Sequence, residues 1–306
     1  MAVIDYVVPM VFHEDRMWRE NFVKVGSRYT ESNPMEFVRY RSWDTEELLI
    51  RLVRKNIPWV RDIIILLAQE SQLQEWMVAM MSEQTGRQGN KPRLRVVYHR
   101  EFMPEWALPT FNSRAMEMFL KDIPDLSDMF LYGNDDMFPI KPLEVEDFFV
   151  DGKPCIHMTE KPFPVIPNNY QAACREGLNF VAKEFGKQYM TSRLKNGHSI
   201  APILKSTCEH LWARGGDEIR NSVSPFRRPY NFNQYIYSWW QYLSGEYVDK
   251  VPERKYVNTK KSVEEVVSVL RDENIKIACV NDNECAEDYK KYGSAVRAAL
   301  TELINQ

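Results

Sequence analysis

The sequence predicts an α/β fold: a Rossmann-like, mostly parallel sheet flanked by helices, with a largely helical subdomain over the carboxyl ends of the strands. Two observations predict the sheet. Short runs rich in valine and isoleucine lack polar alternation, as in strands covered on both faces, and amphipathic segments separate them. A third observation, a proline-rich stretch at 151–169 followed by helical patterns, predicts the subdomain.

The predicted elements alternate along the first half of the chain. Strand patterns occupy residues 3–11, 62–68, 94–98 and 129–133, and helical patterns occupy 45–56 and 113–123. Later, Ser262 and Glu265 have the spacing of a helix capping box. We expect a single domain over 1–306, with an α/β core at about 1–150, an irregular and helical subdomain at 151–260, and a return to the core at 261–306.

Composition excludes several classes of protein. A chain of 306 residues with 44% apolar residues can bury a large core. Its net charge of −3 gives no overall basic field for nucleic acid. Asp5 interrupts the apolar N-terminus, and no apolar run reaches the length of a membrane span, so we expect neither a signal peptide nor a spanning helix.

Cysteine usage indicates a reducing compartment. The cysteines are odd in number and lack C-x-x-C pairs, which argues against a disulfide framework and against a structural zinc site. They are Cys155, Cys174, Cys208, Cys279 and Cys285.

Two adjacent carboxylates follow a predicted strand in "FLYGNDDMFPIKPL". Asp135 and Asp136 repel each other unless a cation, a proton or solvent intervenes. Open α/β sheets bind ligands at the carboxyl ends of their strands. The sequence therefore predicts a cation site at this edge, although a hydrated acidic loop has the same pattern.

Three other stretches are candidates for chemistry, and each has a simpler explanation. Residues 183–206 form a cationic patch, which is typical of a solvated face. Residues 226–247 join Arg227 and Arg228 to a dense aromatic run, which is typical of a packed helix. "CVNDNE" follows another strand pattern and is also a common turn. The cationic patch contains Lys183, Lys187, Arg193, Lys195, His198 and Lys205.

Five blocks resemble, in order, the conserved blocks of the Stealth proteins. They are "IDYVVPMVFHEDRMW", "RYRSW" followed by "IPWVRDIIIL", the stretch "HREFMPEWALPTFNSRAMEMFLKDIPDLSDMFLYGNDDMF", "GHSIAPILKS" and "CVNDN". The family comprises bacterial capsular and cell-wall polysaccharide phosphotransferases and the animal enzyme that transfers N-acetylglucosamine-1-phosphate to lysosomal glycoproteins. The blocks run from about residue 4 to the C-terminal region.

The resemblance implies an enzyme that moves a sugar-1-phosphate from a nucleotide diphosphate-sugar, such as a UDP-hexose or UDP-N-acetylhexosamine, to an acceptor hydroxyl. It implies a Mg²⁺ or Mn²⁺ cofactor. His198 is the first choice as general base and Asp5 the second. The other catalytic candidates are Asp135 and Arg227; the metal candidates are Asp135, Asp136, Asn281 and Asp282; the substrate-binding candidates are Asn112, Ser113, Asn134, Arg41, Lys205, Arg228 and Asp15.

The chain departs from the family pattern at two places. Met10 and "FHE" stand where relatives usually have a tryptophan and a glycine-containing loop. Ser42 stands where similar relatives usually have an aspartate. Neither departure removes an acid of the Asn134–Asp136 motif.

The implied partners are a nucleotide-sugar and a polysaccharide or lipid-linked oligosaccharide, with peripheral membrane contact at the cytoplasmic face and no nucleic acid. Two alternatives remain. A metal-dependent glycosyltransferase would use the same acids but release a nucleoside diphosphate. A non-catalytic carbohydrate-binding protein would use the aromatic run at 235–242 as a sugar platform.

Overall fold

A computed structural model describes residues 3–28, 37–83, 92–282 and 288–306. Cys285 and the last residue of "CVNDN" lie outside these residues. The strands are β1 (Ile4–Pro9), β2 (Asp62–Leu67), β3 (Arg93–Tyr98), β4 (Met129–Tyr132), β5 (Met137–Pro139), β6 (Phe149–Val150), β7 (Lys153–Pro154), β8 (Thr159–Pro162), β9 (Ser192–Lys195), β10 (Ala201–Leu204), β11 (Arg254–Asn258) and β12 (Ile277–Asn281). The helices are α1 (Arg16–Gly26), α2 (Glu46–Asn56), α3 (Glu75–Ser82), α4 (His99–Phe102), α5 (Ser113–Glu117), α6 (Asn169–Ala182), α7 (Lys205–Asn221), α8 (Tyr235–Leu243), α9 (Val263–Leu270) and α10 (Tyr289–Asn305).

The main sheet has the strand order β10-β4-β1-β2-β3. Strands β4, β1, β2 and β3 are parallel, and β10 is antiparallel to β4. The register places Tyr6 of β1 beside Ile63 of β2 and Leu131 of β4. The fold class predicted from the apolar runs, a mostly parallel sheet flanked by helices, is confirmed.

A second sheet begins where the main sheet ends. Strand β5 starts directly after Asp136 and pairs antiparallel with β12, which pairs parallel with β11. The Asn134–Asp136 motif is therefore the connection between the two sheets. It lies at the carboxyl edge of the main sheet, as predicted from sequence.

Helices cover both faces of the main sheet. Along β1, Tyr6 and Val8 pack into the core that contains α2, α9 and α10, whereas Val7 packs into the core that contains α6, α7 and α8. This division follows from the two-residue alternation of side chains in a strand. Within the described residues, no helix is both long and apolar enough to cross a bilayer.

Several local predictions can be compared with the helices that the structure shows. The capping box at α9 is confirmed, with Glu265 N donating to Ser262 Oγ (3.2 Å). The helix predicted at 113–123 was too long, because α5 ends at Glu117 and the chain tightens into i→i+3 bonds that bury Met118 and Phe119 together. The aromatic run forms α8, most of whose side chains are buried in the core. Cys155, Cys174, Cys208 and Cys279 are buried free thiols.

Ion pairs hold the amino edge of the main sheet. Asp5, fully buried at the start of β1, accepts two hydrogen bonds from the Arg61 guanidinium (2.9 and 2.6 Å) and one from Ser127 N (2.8 Å). Asp62 at the start of β2 pairs in the same way with Arg93. These carboxylates tie neighbouring strands together at the edge opposite the Asn134–Asp136 motif.

Gly133 is required by the close approach of β1. A Cβ atom at this position would lie 2.2 Å from Tyr6 Oη and 2.9 Å from Tyr6 Cζ. Tyr6 is fully buried and cannot move away without disturbing the core. Glycine therefore lets β4 end close against β1 and turn directly into the acidic motif.

We expect Gly133→Ala to lower the free energy of unfolding by about 1–3 kcal/mol, because the added methyl group overpacks a filled site. Urea unfolding measures this loss. Tyr6→Phe removes the nearest clashing atom, so the double variant should recover part of the loss relative to the sum of the single changes. Strict additivity would contradict the proposed contact.

Candidate active site

A cavity of about 630 Å³ lies at the carboxyl edge of the main sheet, between it and the second sheet. A smaller cavity of about 160 Å³ adjoins it, and Asn134, Asp135, Ser113 and Arg227 line both. The larger cavity is also lined by Arg41, Ser42, Glu46, Glu117, Asp136, Tyr170, Lys195, His198, Tyr235, Tyr256, Asn281 and Asp282. These residues come from widely separated parts of the sequence.

Asp136 joins three of those parts. Its Oδ2 accepts hydrogen bonds from Asn281 Nδ2 (3.1 Å) and from the Cys279 thiol (3.4 Å), and its carbonyl accepts one from Val280 N (2.9 Å). Its Oδ1 is buried, makes no hydrogen bond within the described residues, and lies 3.7 Å from His198 Nε2. One carboxylate therefore connects β5, β12 and the histidine before β10, and keeps one oxygen for another partner.

His198 is oriented from both sides of its ring. Its Nδ1 lies 3.0 Å from the hydroxyl of Tyr235, the first residue of α8, and its Nε2 faces Asp136. Burial by itself lowers the pKa of His198, but the nearby negative charge of the Asp136 carboxylate outweighs burial and raises that pKa above its ordinary value. The imidazole is thus placed to accept and hold a proton.

The adjacent aspartates differ in acidity. Burial, followed by the negative charges of Asp136 and Glu46, raises the pKa of Asp135 to about 7. Burial would also raise the pKa of Asp136, but the positive charge of the nearby His198 and the hydrogen bonds from Asn281 and Cys279 hold it below its ordinary value. Two neighbouring carboxyls therefore differ in charge near neutral pH.

A group of side chains around Asp136 fits a metal ion. One ligand atom each from Asp136, His198 and Cys279 lie within 4.8 Å of one another. Asp136 Oδ1, which faces His198, accepts no hydrogen bond within the described residues and can therefore accept a positive ligand. Asp135 and Asn281, both predicted ligands, line the same cavity.

Asp282, the fourth predicted ligand, has a different partner. Its carboxylate accepts two hydrogen bonds from Arg41 (2.5 and 2.8 Å), and the guanidinium lies 4.1 Å from the ring centroid of Tyr289. Arg41 and Asp282 were predicted to bind substrate and metal. The structure brings both to the cavity wall, where they bind each other.

Arg227 and Ser113 meet on the opposite wall. Arg227 Nη2 donates to Ser113 Oγ (3.1 Å). The Arg227 loop is held by Asn112, a buried side chain whose Nδ2 donates to Ser224 O (3.1 Å) and to Asn231 Oδ1 (3.0 Å). Asn112 therefore positions Arg227 and lines only the smaller cavity.

Four predicted residues lie elsewhere, and two of them are at the wrong edge of the sheet. Asp5 lies at the amino end of β1, buried against Arg61, so it is structural. Lys205 lies at the amino end of β4, where its N–H donates to Asp128 O (2.8 Å), because β10 runs antiparallel and carries the chain away from the cavity.

The other two lie nearer the site but outside both cavities. Asp15 caps α1, where it accepts a hydrogen bond from Trp18 N (2.6 Å) and one from Ser71 Oγ (2.9 Å). The backbone N–H of Arg228 donates to Asn231 Oδ1 (2.5 Å), and its side chain is not among the residues that line either cavity.

The sequence did not single out Cys279, Tyr235 or Glu46 as site residues. Cys279 lies within the quoted block "CVNDN", and Tyr235 lies in the aromatic run, so both were visible without an assigned role. Glu46 is buried on the cavity wall four residues after Ser42, with which it is hydrogen bonded. A carboxyl group is therefore present beside the position where similar relatives have an aspartate.

Comparison with known proteins identifies one conserved region. Residues 39–156 match the family model of Stealth protein CR2, conserved region 2. The Stealth resemblance inferred from the sequence blocks is confirmed.

Curated relatives are similar over nearly the whole of this chain. The capsular polysaccharide phosphotransferase WcwK of Streptococcus pneumoniae is 28% identical, over 99% of this chain and 98% of the relative. The receptor polysaccharide phosphotransferase WefC of Streptococcus oralis is 27% identical over the same shares. A solved structure of galactosyltransferase LgtC in complex with donor and acceptor sugar analogs is 12% identical to this chain, with a TM-score of 0.42. The match covers 98% of this chain and 95% of that one.

The contrasting positions of Asp5 and Asp136 predict opposite phenotypes. Asp5→Asn should lower the free energy of unfolding by roughly 2–3 kcal/mol, below the full cost of breaking a buried pair because Arg61 is partly exposed. Its turnover in the folded state should be unchanged. Asp136→Asn should lose orders of magnitude in turnover with little loss of stability. Urea unfolding and kcat on the same samples measure both, and a catalytic defect in folded Asp5→Asn would return Asp5 to the site.

Proposed function

We propose that this chain transfers a sugar-1-phosphate from a nucleotide diphosphate-sugar to a hydroxyl of a growing polysaccharide or a lipid-linked oligosaccharide. The product is a phosphodiester, and a nucleoside monophosphate leaves. The observation that carries the proposal is the meeting of Asp136, His198 and Arg227 on one cavity of about 630 Å³. The relatives named polysaccharide phosphotransferases support the same class of reaction.

Arginine and lysine side chains would bind the diphosphate. Arg227 reaches both cavities, and Lys195 lies on the wall of the larger one. Guanidinium groups match phosphate oxygens in a bidentate geometry, and phosphoryl transfer depends chiefly on positioning and on neutralising charge. Because Asn112 holds the loop that carries Arg227, the Arg227 guanidinium would be positioned before the donor binds.

His198 would take the proton of the acceptor hydroxyl at Nε2. The Tyr235 hydroxyl can accept the Nδ1 proton, which leaves the Nε2 lone pair facing the cavity. Negative charge on Asp136 stabilises the imidazolium that forms, in keeping with the raised pKa of His198. Asp5, the second choice from sequence, is not our candidate for the base, because it lies at the amino edge and binds Arg61.

A divalent cation, when bound, would supply positive charge to the phosphate oxygens. Asp135, Asp136 and Asn281 offer the oxygen ligands that Mg²⁺ and Mn²⁺ prefer. Burial and the charge of Asp136 raise the pKa of the Cys279 thiol, so this residue stays protonated and serves as a hydrogen-bond donor. We leave Asp282 out of the ligand set because Arg41 binds its carboxylate.

The two alternative functions differ in how well they fit. A sugar platform on α8 is disfavoured because Tyr237 and Trp239 are buried. A metal-dependent glycosyltransferase fits the same acids, and the bond that breaks separates it from a phosphotransferase. We further propose that the enzyme works at the cytoplasmic face of the membrane on lipid-linked material.

The nucleotide that leaves tests the proposal. Attack on the phosphorus next to the sugar releases a nucleoside monophosphate and leaves one phosphate in the product. Attack on the sugar carbon releases a nucleoside diphosphate. We expect UMP from UDP-hexoses or UDP-N-acetylhexosamines, measured by ion-exchange chromatography, with the product mass raised by one phosphodiester. Stoichiometric UDP with a phosphorus-free product would favour the glycosyltransferase instead.

The role of His198 is tested separately. His198→Ala should lower kcat by about 10²–10⁴-fold, the usual cost of losing a general base. Donor affinity, measured by calorimetry, should change little because His198 is not assigned to the diphosphate. Tyr235→Phe is the matched variant: it keeps the base but loses one orienting contact, so its defect should be smaller. A His198→Ala enzyme with the kcat of the wild type would place the base elsewhere.

A further inference from the structure

Three apolar side chains are exposed near one end of the antiparallel β8–β9 pair. Val165 is 100% exposed, Ile166 87% and Met190 59%. The hydrogen bond from Phe163 N to Thr191 O (2.7 Å) extends the pairing beyond β8 and β9, so the chain on either side of it reaches the same end. We call Val165, Ile166 and Met190 the apolar tip.

The apolar tip has no place in either core. Val165 and Ile166 lie between Pro164 and Pro167, and prolines lack the N–H that a strand would need to fold this segment onto a neighbouring edge. A single exposed apolar residue is ordinary on a protein surface, but two adjacent, almost fully exposed β-branched residues are not.

Positive charge surrounds the apolar tip. Residues 159–195 contain six Lys or Arg and three Asp or Glu, whereas the whole chain contains 40 and 43. Within the β8–β9 pair, the exposed Lys161 lies opposite the half-buried Arg193 in register. Like charges directly opposite each other are unfavourable in a sheet, so anionic groups beside Lys161 would stabilise this pair.

The same segments lead into the cavity. Strand β9 runs from the side of the apolar tip to Lys195, which lines the cavity wall, and His198 follows three residues later. Tyr170, four residues after Ile166, lines the cavity as well. The four residues of β9 span roughly 13 Å, so the apolar tip and the cavity are neighbours on one side of the molecule.

We propose that the apolar tip and Lys161 dock this protein on an anionic lipid membrane. Val165 and Ile166 insert at the boundary between headgroups and acyl chains, and the exposed Lys161 contacts headgroup phosphates. A hydrophilic polysaccharide would not require the exposed valine and isoleucine. The purpose of docking, to bring a lipid-linked acceptor hydroxyl to the cavity mouth, rests on the proposed function, but the docking itself does not.

Vesicle co-sedimentation tests the docking. Vesicles of phosphatidylglycerol and phosphatidylcholine in equal parts should bind the wild type, and vesicles of phosphatidylcholine alone should bind it far more weakly. The double variant V165S/I166S should bind the mixed vesicles at least about tenfold more weakly, since two apolar side chains no longer insert. K161Q should bind the mixed vesicles about fivefold more weakly at low salt. The matched control V23S/V78S, which changes two valines that are each 45% exposed on α1 and α3, should bind like the wild type.

Two further measurements separate the possible failures. V165S/I166S should keep the wild-type rate of UMP release from UDP-N-acetylglucosamine with water as the acceptor, because the apolar tip lies outside the catalytic group. Wild-type vesicle binding by V165S/I166S would overturn the docking proposal, as would a wild-type dimer in sedimentation equilibrium that this variant abolishes. An absence of UMP release from every protein would count against the proposed function alone.

Discussion

The Asp136 carboxylate is the contact on which the rest of the site depends. Asn281 and Cys279 donate to one oxygen, and His198 faces the other. Since β5 begins at the next residue and pairs with β12, this one side chain fixes the second sheet against the main sheet and the histidine against both. Its remaining oxygen is buried without a hydrogen bond within the described residues, which leaves a negative group ready for a cation.

The two edges of the main sheet divide stability from chemistry. At the amino edge, Asp5 and Asp62 are fully buried and bound by arginines, so their charges are satisfied within the protein. At the carboxyl edge, Asp135 has a pKa near 7 because burial and the neighbouring Asp136 disfavour its charge. Aspartates therefore stabilise one edge and line the cavity at the other: arginines hydrogen-bond Asp5 and Asp62, whereas Asn281 and Cys279 hydrogen-bond Asp136.

The mostly parallel sheet and its flanking helices could be predicted because apolar runs and amphipathic periodicity are short-range patterns, whereas the strand order and the second sheet depend on contacts between distant segments. The site was predicted less evenly. Asp135, Asp136, His198 and Asn281 do meet, but Asp5 and Lys205 lie at the opposite edge. A sequence block specifies which residue types occur together, but it does not specify the direction of the strand that they form. The antiparallel course of β10 takes Lys205 away from the cavity that His198 lines.

By itself, the sequence determined the parallel sheet, the acidic motif at a strand end and the family resemblance, because these depend on short-range patterns and residue identity. Only the tertiary structure decided which charges pair. Arg41 binds Asp282 across 241 positions, and Arg61 binds Asp5 across 56. Ion pairing depends on distance in space and on burial, and neither is encoded at fixed spacing along the chain. The same reason explains why Cys279 and Tyr235, unremarkable in sequence, lie beside Asp136 and His198.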